Sequence, residues 1–84
     1  MRITDFYKEG CHPCSVQKKI LTQFKERHPE VEINYIDAEK NRDVAEAFGV
    51  SGLPTLVVYD NNDSLVHCSG GKLMTLVQLE EMVK

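Results

Sequence analysis

Cys11-His12-Pro13-Cys14 sets two thiols one helical turn apart. A C-x-x-C pair at the head of a helix can close a small disulfide. The unpaired N–H groups and dipole of the helix end favour an anion at the first sulfur. A thiolate held beside a partner thiol can exchange disulfides with other molecules. In the cycle this implies, Cys11 attacks a substrate disulfide to form a mixed disulfide, and Cys14 then displaces the substrate thiol, leaving Cys11–Cys14 oxidised. This chemistry needs no metal and no organic cofactor. The competing reading of the pair is half of a zinc site, but a second C-x-x-C or H-x₃-H pair is missing, and only His12, His28, His67 and Cys68 are left to complete one.

Two other places bear on this chemistry. Asp5 lies six residues before Cys11, inside an apolar run. It is either an exposed strand residue or a buried carboxyl; if buried, its pKa rises and it can exchange a proton with Cys14. Gly52-Leu53-Pro54-Thr55 puts a proline at the first residue of an apolar strand, where a sheet tolerates it. A cis Leu53–Pro54 bond there would turn the chain sharply and present backbone groups to a neighbouring ligand. A third cysteine, Cys68, makes the count odd, which argues against a purely structural disulfide framework. It reads as a small buried hydrophobe, with a third reactive thiol as the alternative.

The elements that must hold these residues follow from periodicity. Arg2 to Tyr7 reads as a strand, and Lys8-Glu9-Gly10 as a loop. From Cys11 or His12 a helix runs to about His28, where Pro29 stops it. Val16, Ile20, Leu21 and Phe24 form its apolar face, with Gln17, Lys18, Lys19 and Gln23 elsewhere. Pro13 suits its first turn. Val31 to Ile36 is a strand whose Glu32 and Asn34 place it at an edge. Lys40 to Phe48 is a short helix with Val44, Ala45 and Phe48 inward, Thr55 to Tyr59 a central strand, and Ser64 to Cys68 its hairpin partner across Asn61-Asn62-Asp63. After Gly70-Gly71, an amphipathic helix follows with Leu73, Leu76, Val77, Leu79, Met82 and Val83 on its apolar side.

The order β-α-β-α-β-β-α predicts an α/β fold: a four-stranded mixed sheet in spatial order 2-1-3-4, flanked by three helices. The C-x-x-C then lies at the C-terminal end of the central first strand, where open α/β sheets place their sites. At 84 residues the chain is one domain, spanning 1–84. Its net charge of −3, with no basic run, gives nucleic-acid binding no electrostatic support. No apolar stretch is long enough to span a bilayer, and the N-terminal residues do not read as a secretory signal. These features lead to the expectation of a cytoplasmic monomer.

The chain resembles the thioredoxin superfamily, on three motifs in the family's order. Asp5-Phe6-Tyr7-Lys8-Glu9-Gly10-Cys11-His12-Pro13-Cys14 is similar to the segment around the family's active site, and Ser51-Gly52-Leu53-Pro54-Thr55 to its cis-proline loop. Gly70 falls on a glycine that shapes the substrate groove. The resemblance implies Cys11 as nucleophile, Cys14 as resolving cysteine, Asp5 as the buried aspartate, and Leu53, Pro54 and Gly70 at the substrate. It implies a protein-disulfide oxidoreductase recharged by an NADPH-dependent thioredoxin reductase, with ribonucleotide reductase among its expected partners. The chain departs from the pattern in lacking an initial strand and helix, in having Gly10 for tryptophan and His12 for glycine, and in having Ile33 for the lysine that often pairs with the aspartate. Gly70-Gly71 also resembles glutaredoxins, which implies glutathione as an alternative electron source, but Lys72 follows where those proteins carry an acidic residue. His12 and Pro13 are the residues expected to tune the redox potential; a protonated His12 would stabilise the Cys11 thiolate. A third reading is a non-catalytic binding module that uses the groove around Pro54.

Overall fold

The computed structural model describes residues 1–83. Its elements are β1 (Arg2–Tyr7), α1 (His12–Arg27), β2 (Glu32–Asp37), α2 (Arg42–Ala47), β3 (Thr55–Tyr59), β4 (Leu65–Cys68) and α3 (Leu76–Met82). The strands form one sheet in the order β2-β1-β3-β4. The crossover through α1 makes β1 and β2 parallel, while β1–β3 and β3–β4 are antiparallel. The expected order 2-1-3-4 and the flanking helices are therefore what the chain adopts.

The alternation of side chains along β1 sorts the protein into two layers. Ile3 and Asp5 point to one face, Thr4 and Phe6 to the other. On the first face Ile3, Leu56 and Val58 meet Leu21 and Phe24 of α1, Met74 and Leu79, all almost wholly buried. On the second, Phe6 and Val57 pack on Ala45 of α2. Asp5 is thus a buried acidic group on the sheet face that α1 covers. Its register partners are Tyr35 on β2 and Leu56 on β3.

α1 begins at an N-cap supplied by Cys11 and ends with Lys25 and Arg27 in its last turn, where cations complement the carbonyl end. α3 is opened by a capping box in which the Thr75 hydroxyl accepts from the Gln78 N–H and the Gln78 side chain accepts from the Thr75 N–H. The ends of α1 and α3 are joined by His28, whose Nε2 lies 2.9 Å from Glu80 Oε1.

Several side chains depart from the periodicity reading. Gln17, expected on an outer face, is completely buried. Val77, expected inward, is 69% exposed, because α3 presents only Leu79 fully to the core. Phe48 is 43% exposed, although its ring still tilts against Phe6 with centroids 5.3 Å apart. α2 is shorter than expected because Asn41 and Phe48 are its caps rather than members.

Candidate active site

Cys11 has extended backbone angles, φ −92° and ψ 108°, which turn its side chain back over the first turn of α1. The Cys14 N–H donates to Cys11 Sγ at 3.3 Å. The first sulfur therefore sits where the unpaired N–H groups of the helix gather. Pro13 occupies the first turn without forfeiting a hydrogen bond. Cys11 and Cys14 are joined in a disulfide with Cα atoms 5.2 Å apart. Cys11 is partly exposed and Cys14 only 4% exposed, so one sulfur faces incoming molecules and the other is sheltered. Among the described residues no cluster of three or more His, Cys, Asp or Glu side chains could hold a metal ion.

Below Cys14 lies Asp5. It is 1% exposed, and neither carboxylate oxygen has a hydrogen-bond partner among the described residues. Burial pushes its carboxyl up from 3.8 to about 7, against the opposing pull of the Lys18 ammonium. A cavity of 200 Å³ runs between the carboxyl and the thiols, lined by Asp5, Tyr7, Cys11, Cys14, Lys18 and Tyr35. Its surface is largely apolar, with the Asp5, Lys18 and Tyr35 side chains among its lining.

The second motif forms the other wall. The Leu53–Pro54 peptide is cis, and Pro54 is buried ahead of β3. Thr55 Oγ1 donates to the Gly52 carbonyl at 2.6 Å and closes this turn. Gly52 rests directly on Gly71: a Cβ at Gly71 would lie 3.2 Å from Gly52 Cα, closer than side chains normally approach. Both Gly70 and Gly71 have positive φ, +61° and +88°, so glycine suits each, but only Gly71 meets Gly52. Gly70, the residue that sequence reasoning singled out, faces open space.

Gln17 was invisible as a site-building residue, yet it fixes this wall. Its Nε2 donates to the Met74 carbonyl at 3.0 Å and its Oε1 accepts the Met74 N–H at 2.8 Å. Gln17 is three residues past Cys14, so the helix that carries the thiols also holds the segment following Gly71. His12 is exposed at the first helical position, with its carbonyl accepting from the Ser15 hydroxyl. Ile33 packs toward the apolar core, in register with Ile3 rather than Asp5. Cys68, expected to be buried, is exposed, because β4 is an edge strand with no covered residue.

Comparison with known proteins agrees with this geometry. The thioredoxin family model matches residues 1–84. Mitochondrial thioredoxin-2 of Schizosaccharomyces pombe is 31% identical over 77 residues, which cover 92% of this chain and 58% of that protein. The chain thus spans less than two thirds of that relative's length. Thioredoxin-1 of Saccharomyces cerevisiae is 28% identical over 90% of this chain and 74% of its own. A thioredoxin variant from Halobacterium salinarum superposes with a TM-score of 0.85 at 27% identity, over 98% of this chain and 70% of that one. By its family and by the dithiol at the head of its first helix, this chain belongs to the thioredoxins, which are thiol–disulfide oxidoreductases.

Proposed function

We propose that the chain reduces disulfides of partner proteins in a reducing compartment, the cytoplasm, and is recharged by an NADPH-dependent thioredoxin reductase. The observation that carries this reading is the asymmetry of the pair: a partly exposed Cys11 at the N-cap and a sheltered Cys14 over a buried carboxyl. The Cys11 thiolate attacks one sulfur of the substrate disulfide, expelling the first substrate thiolate and forming a mixed disulfide. Asp5, as carboxylate, accepts the proton of the Cys14 thiol. The Cys14 thiolate then attacks Cys11 Sγ, the mixed disulfide breaks, and the second substrate thiolate leaves and takes a proton from water. Two electrons pass from the dithiol to the substrate, and Cys11–Cys14 is left oxidised.

In this reading Leu53, Pro54 and Gly70 receive the substrate chain beside Cys11, with Gly52 and Gly71 braced behind them. His12 and Pro13 set the potential. His12 follows Cys11 in the chain and stands where the family carries glycine, and a cation there would favour the thiolate and make the disulfide more oxidising. Ribonucleotide reductase is a candidate acceptor by family. Glutathione is the alternative electron source, and Lys72 after Gly70-Gly71 weighs against it.

Two measurements test this. Equilibration with dithiol/disulfide buffers is expected to give a potential near about −270 mV, displaced upward by His12; a value near about −120 mV would mark an oxidant instead. Cys14→Ser is expected to accumulate a mixed disulfide with protein substrates through Cys11, and Cys11→Ser to form none. If Cys11→Ser retained full cellular function, the binding-module reading would replace this one.

A further inference from the structure

Four side chains from three elements converge above the sheet beside the thiols. Cys14 and Lys18 are one turn apart on α1, so both lie on the same side of the helix. Asp5 and Tyr35 are register partners on β1 and β2, so both point to the face that α1 covers. The Lys18 ammonium lies 5.3 Å from the centre of the Tyr35 ring. All four line the single 200 Å³ cavity next to the disulfide. Tyr35 is 38% exposed and Lys18 is exposed, so the cation stands at the cavity mouth while the carboxyl is sealed at its floor.

A buried carboxyl with no hydrogen bond resists ionising, because no group replaces the water it has lost. Something must favour its anion if it is to accept a proton from Cys14. The groups facing it are Tyr7, Lys8, Glu9 and Cys11 from the end of β1 and the loop, Cys14 and Lys18 from α1, and Tyr35 from β2; β3 contributes only Leu56 opposite it. Of the two cations, Lys18 is the one that draws Asp5 toward its ionised form. Tyr35 senses the same charge from the other side: its phenol is raised by burial and by the Asp5 carboxylate. An aromatic face attracts an ammonium, so the Tyr35 ring holds Lys18 at the mouth rather than letting it extend into solvent.

We infer that Lys18, held on the Tyr35 ring, is the positioning residue that lets Asp5 ionise and so times proton removal from Cys14 in the resolving step. The inference rests on the reading of Asp5 as the proton acceptor. Lys18 touches neither substrate nor sulfur in this role. It acts only through the carboxyl.

The test is a pH series of stopped-flow reactions between the reduced protein and a limiting amount of 5,5′-dithiobis(2-nitrobenzoate), in a Cys68→Ser background that removes the third thiol. The first release of thionitrobenzoate reports attack by Cys11, and the second reports displacement by Cys14. Carbon-13 NMR of the Asp5 carboxyl gives its titration directly. In Lys18→Met the Asp5 midpoint and the pH profile of the second phase are expected to move up together by about one unit, slowing that phase about tenfold on the acid side. The first phase is expected to stay unchanged. Lys18→Arg is expected to restore both, and Tyr35→Leu to give a smaller upward displacement. If Lys18→Met leaves the Asp5 midpoint in place while Asp5→Asn abolishes the pH dependence of the second phase, Lys18 has no such role and the Asp5 reading stands. If Asp5→Asn leaves the second phase unaltered, the proton-acceptor reading itself falls, and this inference with it.

Discussion

The side-chain amide of Gln17 makes two hydrogen bonds to the backbone of Met74, giving one and receiving one, with 57 residues between them in the chain. The amide acts as a strand of one residue. It satisfies a buried N–H and a buried carbonyl in the segment joining Gly71 to α3. That segment lies against Gly52, so α1 fixes both the thiols and the wall facing them.

Gln17→Leu keeps the apolar contacts and removes both bonds. It leaves the Met74 N–H and carbonyl buried without partners, which is expected to cost about 3 kcal/mol in denaturant unfolding. Gln17→Glu can still accept from the N–H but buries a charge against a carbonyl, and is expected to be at least as unstable near neutral pH. An unchanged unfolding midpoint for Gln17→Leu would show that water replaces the amide.

Asp5 makes stability fall as pH rises. The folded protein binds the Asp5 proton more tightly than the unfolded chain does, with a folded value of about 7 against 3.8. The contribution is therefore most favourable below pH 4. It declines between about 4 and 7 and stays constant above, and the full displacement is worth about 4 kcal/mol as an order of magnitude. Asp5→Asn carries no such charge. Relative to wild type, it is expected to gain stability progressively across that window. Urea unfolding of both proteins at pH 4, 6 and 8 checks this; a pH-independent difference would mean that Asp5 finds a partner on ionising.

What could be read before folding divides along physical lines. The C-x-x-C pair, its place at the head of α1 and the proline before β3 are local in sequence, and so were the elements, since their period is set by their own residues. Gln17 was not legible, because an amide looks outward until its backbone partner is known. Val77 and Phe48 were misplaced for the converse reason: an apolar residue on a short helix is covered only where another layer reaches it. Lys18 over Tyr35 depends on how α1 crosses the sheet, which periodicity does not specify.

Gly70 and Gly71 separate two reasons for needing glycine. Both have left-handed backbone angles, so an alanine at either is strained by about 1 kcal/mol. The Cβ of Gly70→Ala points into open space, whereas that of Gly71→Ala presses on Gly52 Cα from 3.2 Å. Gly70→Ala is expected to cost only the strain in stability and, because its methyl enters the space that receives the substrate chain, a modest loss of rate with protein disulfides. Gly71→Ala must displace the turn before Pro54, and is expected to lose more stability and several-fold in rate. Equal effects of the two on insulin reduction would mean that the Gly52–Gly71 contact does not shape the groove.

Cys68 lies opposite Val57 across the β3–β4 ladder, but all four β4 residues are exposed, its own thiol included. A buried cysteine is protected by its neighbours; this one has no such cover. With Cys11 and Cys14 bonded, iodoacetamide is expected to label one thiol per native chain, and none in Cys68→Ser. Because the side chain fills no core space, Cys68→Ser is also expected to unfold within about 0.5 kcal/mol of wild type. Slow labelling that waits on unfolding would show that the β4 edge is covered in solution.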